Sequence, residues 1–202
     1  MKVFDFDESL AASKCKQAQE DDIACIRSML NHIEEITPAN DDEDKSGIDY
    51  IVRLIGGREI TVDVKTREQG CSRYWKRKTS KGSAMPELAI ETIAGRCGKS
   101  EKIGWTLDHK KETDLILYRW HNSDCSHCFM ICFHTLRMTA ERMIKDWKAT
   151  FRETTQRNPQ WISRALFVPA DIVLHEMKHT MIKQEPARDS IQYYIQQLLF
   201  EP

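Results

Sequence analysis

Two aspartates and a lysine, Asp49, Asp63 and Lys65, have the types and the spacing to do chemistry. All three lie in GIDYIVRLIGGREITVDVKTR, residues 47–67. Side chains alternate across a strand, so Asp63 and Lys65 share one face with Thr61, while Ile60, Val62 and Val64 share the other. A carboxylate and an ammonium then stand side by side on a sheet whose opposite face is apolar. A hairpin turn at Gly56-Gly57 brings Asp49, on the preceding run, towards Asp63. Two converging carboxylates repel unless a cation lies between them, and hard oxygen ligands suit Mg²⁺ or Mn²⁺. The alternative is a surface ion pair at a strand end, which needs no function.

Two further clusters have metal-ligand spacing. His175-Glu176-Met177-Lys178-His179 fits His-Glu-x-x-His, in which helical i,i+4 spacing puts two imidazoles on one face with a glutamate as general base. Lys178 inside the motif, the missing Gly-x-x-His continuation and the few acids downstream (Glu185, Asp189, Glu201) make a zinc hydrolase the weaker alternative. The turn HNSDCSHC holds His121, Cys125, His127 and Cys128, but the other cysteines supply no second Cys-x-x-Cys. Neither cluster is expected to hold zinc.

The segment from Arg73 to Gly82, RYWKRKTSKG, concentrates five positive charges around two aromatics. Cations neutralise a phosphate backbone and rings stack on bases, so Arg73, Trp75, Lys76, Arg77, Lys78 and Lys81 are candidate substrate contacts. A solvated charged loop is the other reading.

Asp49 at the start of a strand, then a strand ending Asp63-Val64-Lys65, resembles the core of the PD-(D/E)XK nuclease superfamily. Ile48 stands where the family name expects a proline. Gly104-Trp105 and the run from Asp114 to Tyr118 are similar to an arrangement in phage-type members. The resemblance implies a restriction-endonuclease-like fold and a metal held by Asp49, Asp63 and the Val64 carbonyl. It further implies that Lys65 orients or activates the attacking water in phosphodiester hydrolysis. An acid on the first helix often completes such a site, and Glu20 is the candidate by chain order. Its other reading is a partner for the helix dipole. Mg²⁺ or Mn²⁺ is then the expected cofactor and DNA the expected substrate. A catalytically inactive nucleic-acid-binding or interaction protein on the same fold is the alternative.

The elements that must position these residues are legible in outline. Ile23, Ile26, Met29, Leu30 and Ile33 recur at helical spacing and predict a helix from about Ala18 to Glu35. Thr37 to Ser46 is acidic and reads as a loop. Strands are predicted at Ile48–Ile55, Glu59–Val64, Leu88–Ile93, Thr113–Trp120, Phe129–Thr135 and Arg164–Val168. Glu91, on the third of these, is either an additional acid or a residue facing water from an edge strand. Helices are predicted at Met138–Phe151, from Ala170 onward after Pro169, and at Ser190–Phe200. Together they predict one α/β domain over residues 1–202, a mixed sheet flanked by helices. Residues 1–46 supply the first helix and acidic loop, 47–135 the catalytic sheet core, and 136–202 C-terminal helical additions.

With 202 residues, 41% hydrophobic and 30% charged, the composition is that of an ordinary globular protein with one core. The net charge of −1 means that nucleic acid must be met by local clusters of Lys and Arg. No membrane-length apolar segment and no signal-peptide pattern is present, so the expected location is cytoplasmic, with seven reduced cysteines. The oligomeric state is open, a homodimer included.

Overall fold

The computed structural model describes residues 16–67, 87–96, 101–120, 127–157 and 161–183. They form a mixed α/β arrangement in which a mixed sheet is flanked by helices. Helix α1 spans Lys16–Met29, α2 Asp41–Lys45, α3 Phe133–Thr150 and α4 Ala170–Lys183. The strands are β1 Ile33–Pro38, β2 Tyr50–Leu54, β3 Glu59–Arg67, β4 Glu87–Arg96, β5 Lys102–Ile103, β6 Leu115–Trp120, β7 His127–Cys132, β8 Glu153–Arg157 and β9 Trp161–Pro169. No helix among the described residues is long and apolar enough to cross a membrane.

The predicted hairpin forms. Gly56 and Gly57 adopt φ of +100° and +81°, which glycine takes without a Cβ penalty. The antiparallel register runs from Arg53 opposite Glu59 to Tyr50 opposite Val62. On its other edge β3 pairs in parallel with β6, and β6 in turn pairs antiparallel with β7. The strand order β1-β2-β3-β6-β7 puts β3 at the centre.

Four differences from the sequence reading stand out, the first three with local causes. The first helix stops at Met29, His32 turns the chain at φ +60°, and residues 33–38 pair with β2 as β1. A spacing of three suits a helix stripe, and only the register shift between Ile33 and Glu35 lets Ile33 and Ile36 both pack on the α1 side of the sheet, so periodicity pointed to the helix. Within the acidic stretch, Asn40 accepts hydrogen bonds from the Asp42 and Glu43 amides while Glu43 accepts from the Asn40 amide. This capping box makes α2 where a loop was expected. The third helix begins at Phe133, so β7 ends at Cys132 and not at Thr135.

The fourth difference is the largest. Strands β4, β5, β8 and β9 form a second, antiparallel sheet of order β5-β4-β9-β8. The predicted single sheet therefore becomes two, and residues 136–202 are not solely helical. Glu87 lies opposite Pro169 and Arg96 opposite Trp161. That pairing joins segments far apart in sequence, and nothing local announces it.

Each face of the five-stranded sheet has its own core. Ile26 and Leu30 lie against Tyr50, Val52, Leu54, Ile60, Val62, Leu115 and Leu117 on the α1 side. On the other side Ile116, Tyr118 and Ile131 meet Leu88, Ile90, Leu166 and Val168 of the second sheet, closed over by α3 and α4. The Tyr118 hydroxyl donates to the Ala89 carbonyl at 3.0 Å and ties the sheets together. The predicted C-terminal helix, residues 190–200, and the N-terminal arm lie outside the described residues.

Candidate active site between the sheets

Strand β3 carries Asp63 and Lys65 on the face that looks toward the second sheet. Lys65 Nζ donates to Asp63 Oδ1 at 2.7 Å. The alternation that sends Val62 into the α1 core makes this placement obligatory. Asp49 arrives from the start of β2, where its own amide donates to the Val62 carbonyl at 2.9 Å. Its Oδ2 accepts the Val64 amide at 2.7 Å. The N–H and C=O of one strand residue point to the same side, so the Val64 carbonyl also faces the Asp49 edge. Beyond Val62 the register with β2 has ended, and β6 is the strand neighbour of β3.

Burial pushes the Asp63 carboxyl up to about 7, against the pull of Lys65 and with the help of the adjacent Asp49 carboxylate. Lys65 is also raised. Burial opposes its charge, but Asp63, Asp49 and Glu91 together outweigh that cost. Asp63 thus pairs directly with the ammonium, and Asp49 and Glu91 add to the negative field around it.

Glu91 comes from β4, which lies between β5 and β9 and is not an edge. Burial raises its carboxyl, opposed by the Trp105 amide, Lys65 and Ser163. The Trp105 amide donates to Glu91 Oε2 at 3.1 Å, and the Trp105 ring lies under Lys65 Nζ at 5.0 Å from its centroid, a cation–π contact. Gly104 explains how the turn comes so close. A Cβ there would lie 2.5 Å from the Glu91 backbone, which a real side chain cannot do. The register shift between Glu91 and Ile93, a β-bulge against β9, is the kind of irregularity that re-aims a side chain. Asp114 accepts from the Thr61 amide and hydroxyl at 2.9 and 3.0 Å, fixing the start of β6 against β3.

The structure therefore brings together Asp49, Asp63, Lys65 and the Val64 backbone. Glu20 is an exposed residue of α1. The α1 acid nearest the site is Asp22, whose carboxyl is raised by burial and, to a small extent, by Asp49; it is buried beneath the Tyr50 hydroxyl, which donates to it at 3.2 Å. Sequence reasoning missed Asp22 and Trp105 as the platform of Lys65; of the two readings offered for Glu91, the water-facing edge residue does not hold, because its strand is interior and its charge acts on Lys65. Asp22 stands four residues before Ile26, on the apolar stripe itself, and an acid at such a position was the available signal; Gly104-Trp105 was already visible as a motif. Arg73, Trp75, Lys76, Arg77, Lys78 and Lys81 lie outside the described residues, as do His121 and Cys125.

The donor set fits a hard divalent cation. Among the described residues no three His, Cys, Asp or Glu side chains are grouped to hold a metal. An ion here would rest on two carboxylates, one carbonyl and water, and Mg²⁺ commonly binds through one or two carboxylates with several waters retained. Two adjacent carboxylates, one of them buried and raised, are the electrostatic need that such an ion meets.

Comparison with protein-family models, with curated proteins and with solved structures finds no match in any of the three. The chemistry must be argued from the site itself.

Proposed function

We propose that this chain is a metal-dependent nuclease that hydrolyses phosphodiester bonds, with DNA as substrate and Mg²⁺ or Mn²⁺ as cofactor. The observation that carries the reading is the meeting of Asp49 and Asp63 beside Lys65, on a stretch of β3 that β2 no longer covers. The resemblance of these residues to the PD-(D/E)XK core, with its restriction-endonuclease-like fold, points the same way.

Asp49, Asp63 and the Val64 carbonyl would hold the cation. When bound, it supplies a Lewis acid to the scissile phosphate and lowers the pKa of an attacking water. Lys65 orients that water and offsets the negative charge that gathers on the phosphate oxygens as the bond to the leaving oxygen breaks. Trp105 and Glu91 keep the lysine stem from wandering, so its ammonium is in place before substrate arrives. Asp114 and Thr61 hold the β3–β6 pair in register beneath it.

The test is cleavage of linear and supercoiled DNA by the purified chain in Mg²⁺ or Mn²⁺. Asp63→Ala and Lys65→Ala should each lower the rate by about 10²–10³-fold or more, with unchanged far-ultraviolet circular dichroism. If the parent cuts no DNA with either metal, or both variants cut as well as the parent, the reading is wrong.

A further inference from the structure

His175 and His179 stand outside the site described above, and their geometry is informative. Both are exposed on α4, one helical turn apart. Their Nε2 atoms are 3.1 Å apart and their rings meet edge to face at 4.6 Å between centroids. Two nitrogens each at about 2.0–2.1 Å from one ion, and 3.1 Å from each other, subtend about 98° at it. That angle lies between those of cis ligands in an octahedron and of ligands in a tetrahedron.

The turn that separates the two rings is fastened to α3. Arg142 donates to the Glu176 carbonyl at 3.0 Å and to Glu176 Oε2 at 2.9 Å. Thr139 donates to the Thr180 hydroxyl at 2.9 Å, and Val173 and Met177 are buried beneath. The backbone that sets the separation of the imidazoles is thus fixed by packing, which lowers the cost of binding. The same contacts turn Glu176 towards Arg142, where it serves as an ion-pair partner and not as a base beside the histidines.

We infer that His175 and His179 form a two-point surface chelate for a borderline divalent transition ion such as Zn²⁺, Ni²⁺ or Cu²⁺. Imidazole nitrogen suits these ions and does not suit Mg²⁺, which demands oxygen. The chain then has two sites of opposite hardness, one of carboxylates between the sheets and one of imidazoles on α4. With two protein ligands the remaining positions belong to water, so the ion exchanges and dialysis removes it. This departs from the expectation that the motif holds no zinc, in that two ligands suffice for a weak, exchanging site.

Titration calorimetry of the full chain with NiCl₂ tests the chelate without reference to cleavage. The parent should bind Ni²⁺ saturably, excess Mg²⁺ should not displace it, and His175→Ala and His179→Ala should each weaken binding by about tenfold or more. Glu176→Gln, which keeps both rings, should bind Ni²⁺ as the parent does. Absence of saturable binding, displacement by Mg²⁺, or binding that both histidine variants preserve would overturn the inference. In those cases the 3.1 Å contact is only a hydrogen bond between the two rings.

Discussion

The central strands β3 and β6 carry a charged cluster on each face, and the two are built to different ends. On the α1 face Arg119 reaches Asp22 with one guanidinium nitrogen and Asp21 with the other, at 2.8 Å for the second. Tyr50 adds its hydroxyl to Asp22. On the opposite face Lys65 has Asp63 at 2.7 Å, with Asp49 and Glu91 close enough to raise it further. A guanidinium is a fixed fork that satisfies two carboxylates at once, whereas an ammonium is a point charge. The first cluster is therefore close to self-sufficient. The second keeps an excess of carboxylate about one ammonium: Asp63 is buried, and the half-buried Asp49 and Glu91 add to its field. Stability gains nothing from such an excess, and the proposed cation would offset it.

The comparison predicts opposite responses to removing one charge. Arg119→Ala should be the most damaging change, because it strands Asp22 in the interior. Breaking a buried pair costs about 3–5 kcal/mol, which urea denaturation would read as a lower midpoint. A loss below about 1 kcal/mol, the worth of an exposed pair, would make this cluster an ordinary surface interaction.

Asp63→Asn should instead stabilise. The folded state holds the Asp63 proton up to about pH 7, against a free value of 3.8. The unfolded chain gives the proton up first, so stability is full below about pH 4 and declines as the pH rises through about 7. The asparagine variant lacks that decline. It should match the parent near pH 4 and exceed it by about 1–3 kcal/mol at pH 8, after allowing for the lost partner of Lys65. Parallel stability–pH curves for the two proteins would contradict this. The same variant should not cleave DNA.

Glu91→Gln sharpens the contrast from the second sheet. Removing one of the three carboxylates should lower the Lys65 pKa and raise the reactivity of its amine toward an acylating reagent, read by mass spectrometry of the labelled peptide. An unchanged labelling rate would take Glu91 out of the cluster. The smallest effect concerns Arg73–Lys81. Replacing Lys76, Arg77 and Lys78 together should weaken DNA binding by the Asp63→Ala protein and flatten its log–log salt slope by up to about three. An unchanged slope would make the segment a solvated connector.

The part of this contrast that the sequence displays is the part built locally. Asp63 and Lys65 share a face because they stand two positions apart on a strand, and Gly56-Gly57 forces the chain to return, so the trio with Asp49 follows from about twenty residues of pattern. Glu91 and Trp105 do not follow, because their approach to Lys65 depends on β4 pairing with β9 across some seventy residues and on Gly104 packing against a bulge. The exchange of Glu20 for Asp22 has a different cause. Asp22 shares the helix face of Ile26, which packs on the sheet, and Glu20 lies on the opposite face, so helical spacing already distinguishes them. Strand β8, ETTQR, has no apolar alternation to announce it and owes its place to β9.

The account rests on the carboxylate excess being a place for a cation. Crystals of the chain soaked in MnCl₂, with data collected to give an anomalous difference map, test this most directly. The account predicts an anomalous peak bounded by Asp49, Asp63 and the Val64 carbonyl, lost in the Asp63→Asn protein. A map with no peak there, or a peak that persists unchanged without the Asp63 carboxylate, would contradict it.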